Sequence, residues 1–293
     1  MAAGNTTFAD ISARVNDIIE DSLAVARMAN VLAPTVTNLS ATGMFVRKVN
    51  EYNAVTFAAT GENDVTSPQI FSKDALSSLT PTIYTSAVLL TDARVASDFD
   101  GETASASAEF GAASATHVDN AIADLFVSST GGTVGAAGTV LTWKHITAAY
   151  ARLVNQGAPA GAPVFCALHP FQWHRLLSAA TLAGATVSVS PMFQDRMTAA
   201  PNFFNTPAFV GVTFVITNAI DIDASDDAYG CLYVPQAFAV DTRRAFDIEP
   251  ERKPDVGGGA TQLNASMIYA SGVWRSAFAV AILSDAATPD YNT

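Results

Sequence analysis

Three side chains able to do chemistry fall close together: Cys166, His169 and His174. A Cys-x-x-His pair is half of a zinc site, but a closed site takes four ligands. The remaining His117, His145 and Cys231 stand apart and supply no second pair. A thiol nucleophile with a histidine base is the other chemistry this cluster offers, and no recognisable signature surrounds Cys166. The plainer expectation is a buried thiol at a strand end and histidines that cap helices or face solvent. With only two cysteines there is no disulfide framework. No catalytic residue, metal or cofactor is assigned.

Two further clusters invite ligands. Gly131-Gly132-Thr133-Val134-Gly135-Ala136-Ala137-Gly138 is glycine-rich, but a phosphate loop needs a strand before it and Lys-Ser/Thr after it. Here a helix precedes and Thr139-Val140 follow, so a hinge between two modules is expected. Gly257-Gly258-Gly259 reads as a hairpin tip or loop. Asp221-Ile222-Asp223-Ala224-Ser225-Asp226-Asp227 lacks the central Gly and terminal Glu of a calcium loop and reads as solvated.

What must position these residues is set by composition. The chain has 293 residues, ample for a large core. Its net charge is −12, with four lysines and no basic run, so its global field does not favour nucleic acid. Charged residues are 14% and hydrophobic residues 49%, against roughly 25% charged in ordinary soluble domains. The excess apolar surface needs a destination. The uncharged runs Leu125 to Trp143 and Leu176 to Gln194 are broken by glycine, Ser, Thr and Pro, so no membrane span is expected. The N-terminus shows no secretory pattern, and cytosolic synthesis is expected. Permanent contacts with other subunits, of the kind that bury ~2,000–5,000 Å², then account for the excess.

Along the chain, Phe8, Ile11, Val15, Ile18, Ile19 and Met28 recur at helical spacing, and Pro34 ends that helix near Val31 to Ala33. Asn30 to Gly43 reads as a strap without a core. Phe45 to Val49 and Ala54 to Phe57 read as strands, Gly61 to Asp64 as a turn, and the return leg runs through Gln69-Ile70-Phe71 and Pro81 to Leu90. A hairpin this long is marginal alone and must lie on something. A helix is expected over about Glu102 to Ser128, and another on the face of Trp143, Ile146, Tyr150, Leu153 and Val154, capped by Thr142. Val164 to Leu168 reads as a buried strand, with Pro170 opening the next helix. Pro191 to Pro207 is a loop carrying Phe193, Phe203 and Phe204. Gly211 to Thr217, Tyr229 to Val234 and Ala237 to Thr242 read as strands, and Gln262 to Trp274 with Phe278 to Leu283 close the sheet.

This order of parts resembles the major capsid proteins of tailed bacteriophages, the Hong Kong 97-type fold. The matching stretches are HVDNAIADLF (His117 to Phe126), the helix-strand-helix from Leu141 to Leu177, and YASGVWRSAFAVAI (Tyr269 to Ile282). The resemblance spans nearly the whole chain and implies an α+β architecture. Its parts would be an N-terminal helix and arm (1–45), an extended β-hairpin or E-loop (46–90), a spine helix in a peripheral domain (91–138), an axial domain (139–245), and a return to peripheral strands (246–293).

The function the resemblance implies is self-assembly, through pentamers and hexamers, into an icosahedral shell around double-stranded DNA. The subunit would be non-catalytic, would not read sequence, and would reside in the virion after assembly in the host cytoplasm. Confined DNA needs no strong counterion-releasing contacts, which fits the acidic charge. Interface residues implied are Lys48, Phe57, Gly61, Asp64, Phe71 and Lys73 on the hairpin, Phe110 on the spine helix, and Phe193, Phe203 and Phe204 in the axial loop. Met1 stands few residues before the first helix, so a separate scaffold protein is expected, alongside portal and decoration proteins. No motif fixes a Lys-Asn crosslink among Lys48, Lys73 and Asn264. Alternatives are an encapsulin-like bacterial nanocompartment, a soluble α/β enzyme using Cys166 or His169, and another virion component such as a tail protein.

Overall fold

The computed structural model describes residues 23–32, 47–52, 57, 59, 68–70, 73–93, 97, 102–159, 161–182, 208–209 and 211–289. The strands are β1 (Asn30–Leu32), β2 (Arg47–Tyr52), β3 (Lys73–Leu79), β4 (Thr82–Thr91), β5 (Thr133–Gly135), β6 (Val164–Leu168), β7 (Ala208–Phe209), β8 (Val212–Ile216), β9 (Asp227–Tyr233), β10 (Phe238–Lys253), β11 (Ala260–Val273) and β12 (Ala279–Asp285). The helices are α1 (Glu102–Ala123), α2 (Trp143–Asn155) and α3 (Pro170–Leu182).

A six-stranded sheet, ordered β5-β12-β9-β6-β8-β7, carries the main core. Its central strands are apolar on both faces, which is why Val164 to Leu168 shows no polar alternation. Cys166, Leu168, Phe214 and Leu232 face α2 and α3, meeting Ile146, Leu153, Trp173 and Leu176. Ala167, Cys231 and Tyr233 face the other way, onto Ile122 and Phe126 beyond the middle of α1. The expected helix from Glu102 to Ser128 is α1 followed by a 3₁₀ turn over Phe126–Ser128.

A second sheet, ordered β1-β10-β11-β4, holds the long β10–β11 hairpin. Phe110 of α1 packs on Phe246, ring centroids 6.0 Å apart, over Ile248 and Leu263. Phe238, Val240 and Tyr269 join the core shared with the first sheet, so α1 and its terminal turn fill the seam between the two. The ribbon β2–β3 stands as a separate two-stranded sheet.

Four expectations change. Where a helix is expected to run on to about Ala33, the described residues form a 3₁₀ turn at Ala26–Met28 and strand β1, which pairs parallel with β10; the expected helical positions Phe8 to Ile19 lie outside the described residues. The return leg of the hairpin divides: β3 pairs with β2, whereas β4 pairs with β11 from Thr82↔Tyr269 to Thr91↔Ala260. The glycine-rich segment is not a free hinge, because β5 pairs with β12 from Thr133↔Ala281 to Gly135↔Leu283. The last two strands do not close one sheet: β11 lies in the four-stranded sheet and β12 in the six-stranded one. Each change is a long-range pairing, invisible to local pattern.

Candidate assembly interface

The ribbon departs from the body at Leu79. That side chain is buried among Leu32, Ala239, Ala270 and Trp274, and Gly272 leaves it room: a Cβ there would sit 2.4 Å from Leu79 Cδ2. From this peg the strands run outward in register from Arg47↔Leu79 to Tyr52↔Lys73, with a bulge between Val49 and Asn50. Lys48 pairs opposite Ser78 near the base, and Lys73 lies at the far end. Beyond the strands, Phe57 is 100% exposed and Ile70 89% exposed.

Strand β4 is the other open feature. It forms one edge of its sheet, and its sequence TIYTSAVLLT contains no charge and no proline. Natural edges are ordinarily guarded by such residues or covered. Ile83, Val88 and Leu89 are exposed along it. Between β4 and α1 lies a cleft of about 230 Å³ lined by Tyr84, Ser114, His117, Phe246 and Met267 among others. Tyr84 stacks on Tyr269 at 4.8 Å and meets His117 edge-on at 4.5 Å.

Of the residues named from sequence, Phe57 is a free apolar side chain and Lys48 and Lys73 lie at opposite ends of one ribbon. Phe110 is instead a core residue, 5% exposed and packed within its own chain. Gly61, Asp64, Phe71, Phe193, Phe203 and Phe204 lie outside the described residues. Sequence reasoning missed the open edge of β4, although its uncharged run was the available signal. It also missed Leu79, which nothing in the local pattern distinguishes.

The chemical candidates take structural roles. Cys166 and Cys231 are fully buried, and burial pushes the Cys166 thiol well up and that of Cys231 to about 12. A nucleophile needs an accessible thiolate, which these sites deny. His169 accepts the Phe171 N–H on Nδ1 at 3.2 Å, capping α3, and burial lowers its pKa. His145 accepts the Thr142 N–H on Nδ1 at 3.2 Å at the start of α2. His169 thus takes the capping role that is one of the two expected for its cluster. The acidic loop is tied by its own backbone: Asp223 Oδ1 accepts the N–H of Ser225 and of Asp227, and Asp227 Oδ1 accepts the N–H of Gly138. Among the described residues no group of three His, Cys, Asp or Glu is placed to hold a metal, and no helix is long and apolar enough to cross a membrane.

No family model matches the chain, and no curated protein matches its sequence. Solved structures do match its fold. The capsid of cyanophage P-SCSP1u superposes with a TM-score of 0.66 at 14% identity, covering 88% of this chain and 86% of that one. The capsid of Ralstonia phage GP4 gives 0.64 at 12% identity, covering 92% and 93%. A virus-like particle from Pyrococcus furiosus gives 0.54 at 10% identity, covering 94% and 98%. At such identities the fold is what is shared, over most of each chain. The chain therefore has the α+β capsid fold of tailed phages, as its order of elements implied.

Proposed function

We propose that this chain is the major subunit of an icosahedral viral shell that encloses packaged double-stranded DNA, and that it is not an enzyme. The observation carrying this reading is the ribbon. A two-stranded sheet cannot bury its own faces and is marginal alone, and beyond β2–β3 the side chains of Phe57 and Ile70 are bare. Its complement is a second copy, whose uncharged β4 edge and adjoining cleft stand open. The capsid identity of the structures sharing the fold supports the same reading. In it the subunits meet as pentamers and hexamers, scaffold, portal and decoration proteins join from outside the chain, and the virion is its place after assembly in the host cytoplasm. DNA is held by enclosure, in keeping with the net charge of −12.

Deleting Ala58 to Ser72 tests the reading. The body retains its core, so the variant is expected to fold and to yield no closed particles. Normal shells from it would remove the ribbon from the contact. Nucleic acid within particles made during infection distinguishes this shell from a cargo-storing compartment, which would hold an enzyme instead.

A further inference from the structure

Asp119 of α1 faces inward and is 5% exposed. It lies between the apolar positions Val118 and Ile122, where burial of an ionised carboxylate is costly unless every lone pair finds a donor. Its donors come from more than ninety residues away. Oδ2 accepts the N–H of Ala24 at 2.8 Å, and Oδ1 accepts those of Val25 at 3.2 Å and Ala26 at 2.8 Å. Three consecutive backbone donors thus converge on one side chain. Among the described residues no cation pairs with it. Tyr233 of β9 is a titratable neighbour from the sheet, pushed well up by burial first and, to a lesser extent, by Cys231 and Asp119.

The same turn carries its own apolar plug. Val25, Ala26 and Ala29 are buried with Ile122 and Phe126, and β1 follows directly, pairing Asn30 with Ala239. The plug and the strand hold the segment from its C-terminal side. Asp119 holds the N-terminal end of the turn, next to the residues that precede 23. Its grip is tempered, because the carboxylate recovers hydration when it lets go; burial pushes the Asp119 carboxyl above its ordinary value, and the three N–H donors reverse that only in part.

We propose that Asp119 is a clasp that docks residues 24–26 on the chain's own helix α1 and sets how readily that turn opens. The clasp is intramolecular, so it goes beyond the shell reading and does not depend on it.

The test uses the full chain, with Asp119→Ala and Asp119→Asn. Arg27 is exposed and offers a tryptic site inside the clasped turn. In the wild-type protein cleavage at Arg27–Met28 is expected to be slow and the amides of residues 24–26 protected. In Asp119→Ala, cleavage and amide exchange there rise by at least about ten-fold, as expected for local opening, while β6, β9 and β12 keep their protection. Asp119→Asn, which retains one acceptor oxygen, falls between. Unchanged protection at residues 24–26 in both variants would overturn the clasp. So would an equal loss of protection across the six-stranded sheet in both, since Asp119 would then support the whole fold. Both readouts are made on the subunit, so failed particle assembly would count against the shell reading and leave the clasp standing or falling on its own result.

Discussion

Replacing Gly135 by alanine is the sharpest probe of the joint between α1 and the six-stranded sheet. Gly135 ends β5 with φ +88°, and a Cβ there would stand 2.2 Å from the Leu283 carbonyl oxygen of β12. That is more than 1 Å short of the roughly 3.5 Å optimum for non-bonded heavy atoms. The neighbour is backbone and cannot rotate away, so β5 must separate from β12. The left-handed conformation costs an alanine about 1–2 kcal/mol. Lifting β5 also exposes Val134, buried in the α2 core, at about 1.5–3 kcal/mol. The expected loss is therefore about 2.5–5 kcal/mol. Gly138 supplies the control: its φ is +67°, but nothing lies within 4 Å of an added Cβ. Gly138→Ala should cost only the conformational part, about 1–2 kcal/mol. Urea denaturation of the two variants, followed by circular dichroism, reads the difference directly. At ~2–4 °C per kcal/mol, Gly135→Ala should also melt roughly 10 °C below wild type. Equal, small effects at both positions would mean that the segment is the hinge its glycines suggested and that β5 contributes nothing to the sheet.

Other expectations follow from single contacts. Leu79→Ala should destabilise the base of the ribbon by about 2–5 kcal/mol, as for other buried leucines, and should increase exchange in β3 while sparing β6 and β9. Phe246→Ala, which removes the ring beneath Phe110, should cost about 3–5 kcal/mol in the four-stranded sheet by thermal melting; no change would mean α1 does not seat there. His169 gives a pH dependence. Burial lowers its pKa from 6.5, so the fold favours the neutral ring whose Nδ1 accepts the Phe171 N–H. Its stabilisation is full above about pH 6.5 and is lost as pH falls through the lowered value. Denaturation midpoints between pH 5 and 8 should show that decline in the wild type and its loss in His169→Asn, which keeps a capping oxygen without titrating there.

What could be read from the sequence was local. The unbroken apolar run from Val164 to Leu168 and the proline after His169 mark β6 and the start of α3, because burial on both faces and a fixed φ leave traces in adjacent residues. Thr142 likewise marks the start of α2. What could not be read depends on partners far along the chain. Thr82 to Thr91 looks the same whether it pairs with β3 or with β11, and only the register with Ala260 to Tyr269 decides. β5 is three residues long and glycine-bounded, so its own sequence argues against a strand; Gly135 is there because the Leu283 carbonyl is close. At the candidate interface, Phe57 was legible as an apolar side chain on a ribbon with no core. Phe110 was not separable from it, because exposure is decided by whether Phe246 lies beneath. Asp119 carries no signal at all in a helix that also holds the exposed Glu109.

The central claim is that copies of this chain complete one another. Electron microscopy of the purified full-length protein, with sedimentation of the same sample, tests it most directly. Closed, uniform particles that sediment far ahead of any single subunit are expected. A monodisperse 30.5 kDa species that persists at high concentration, or open tubes, would contradict it.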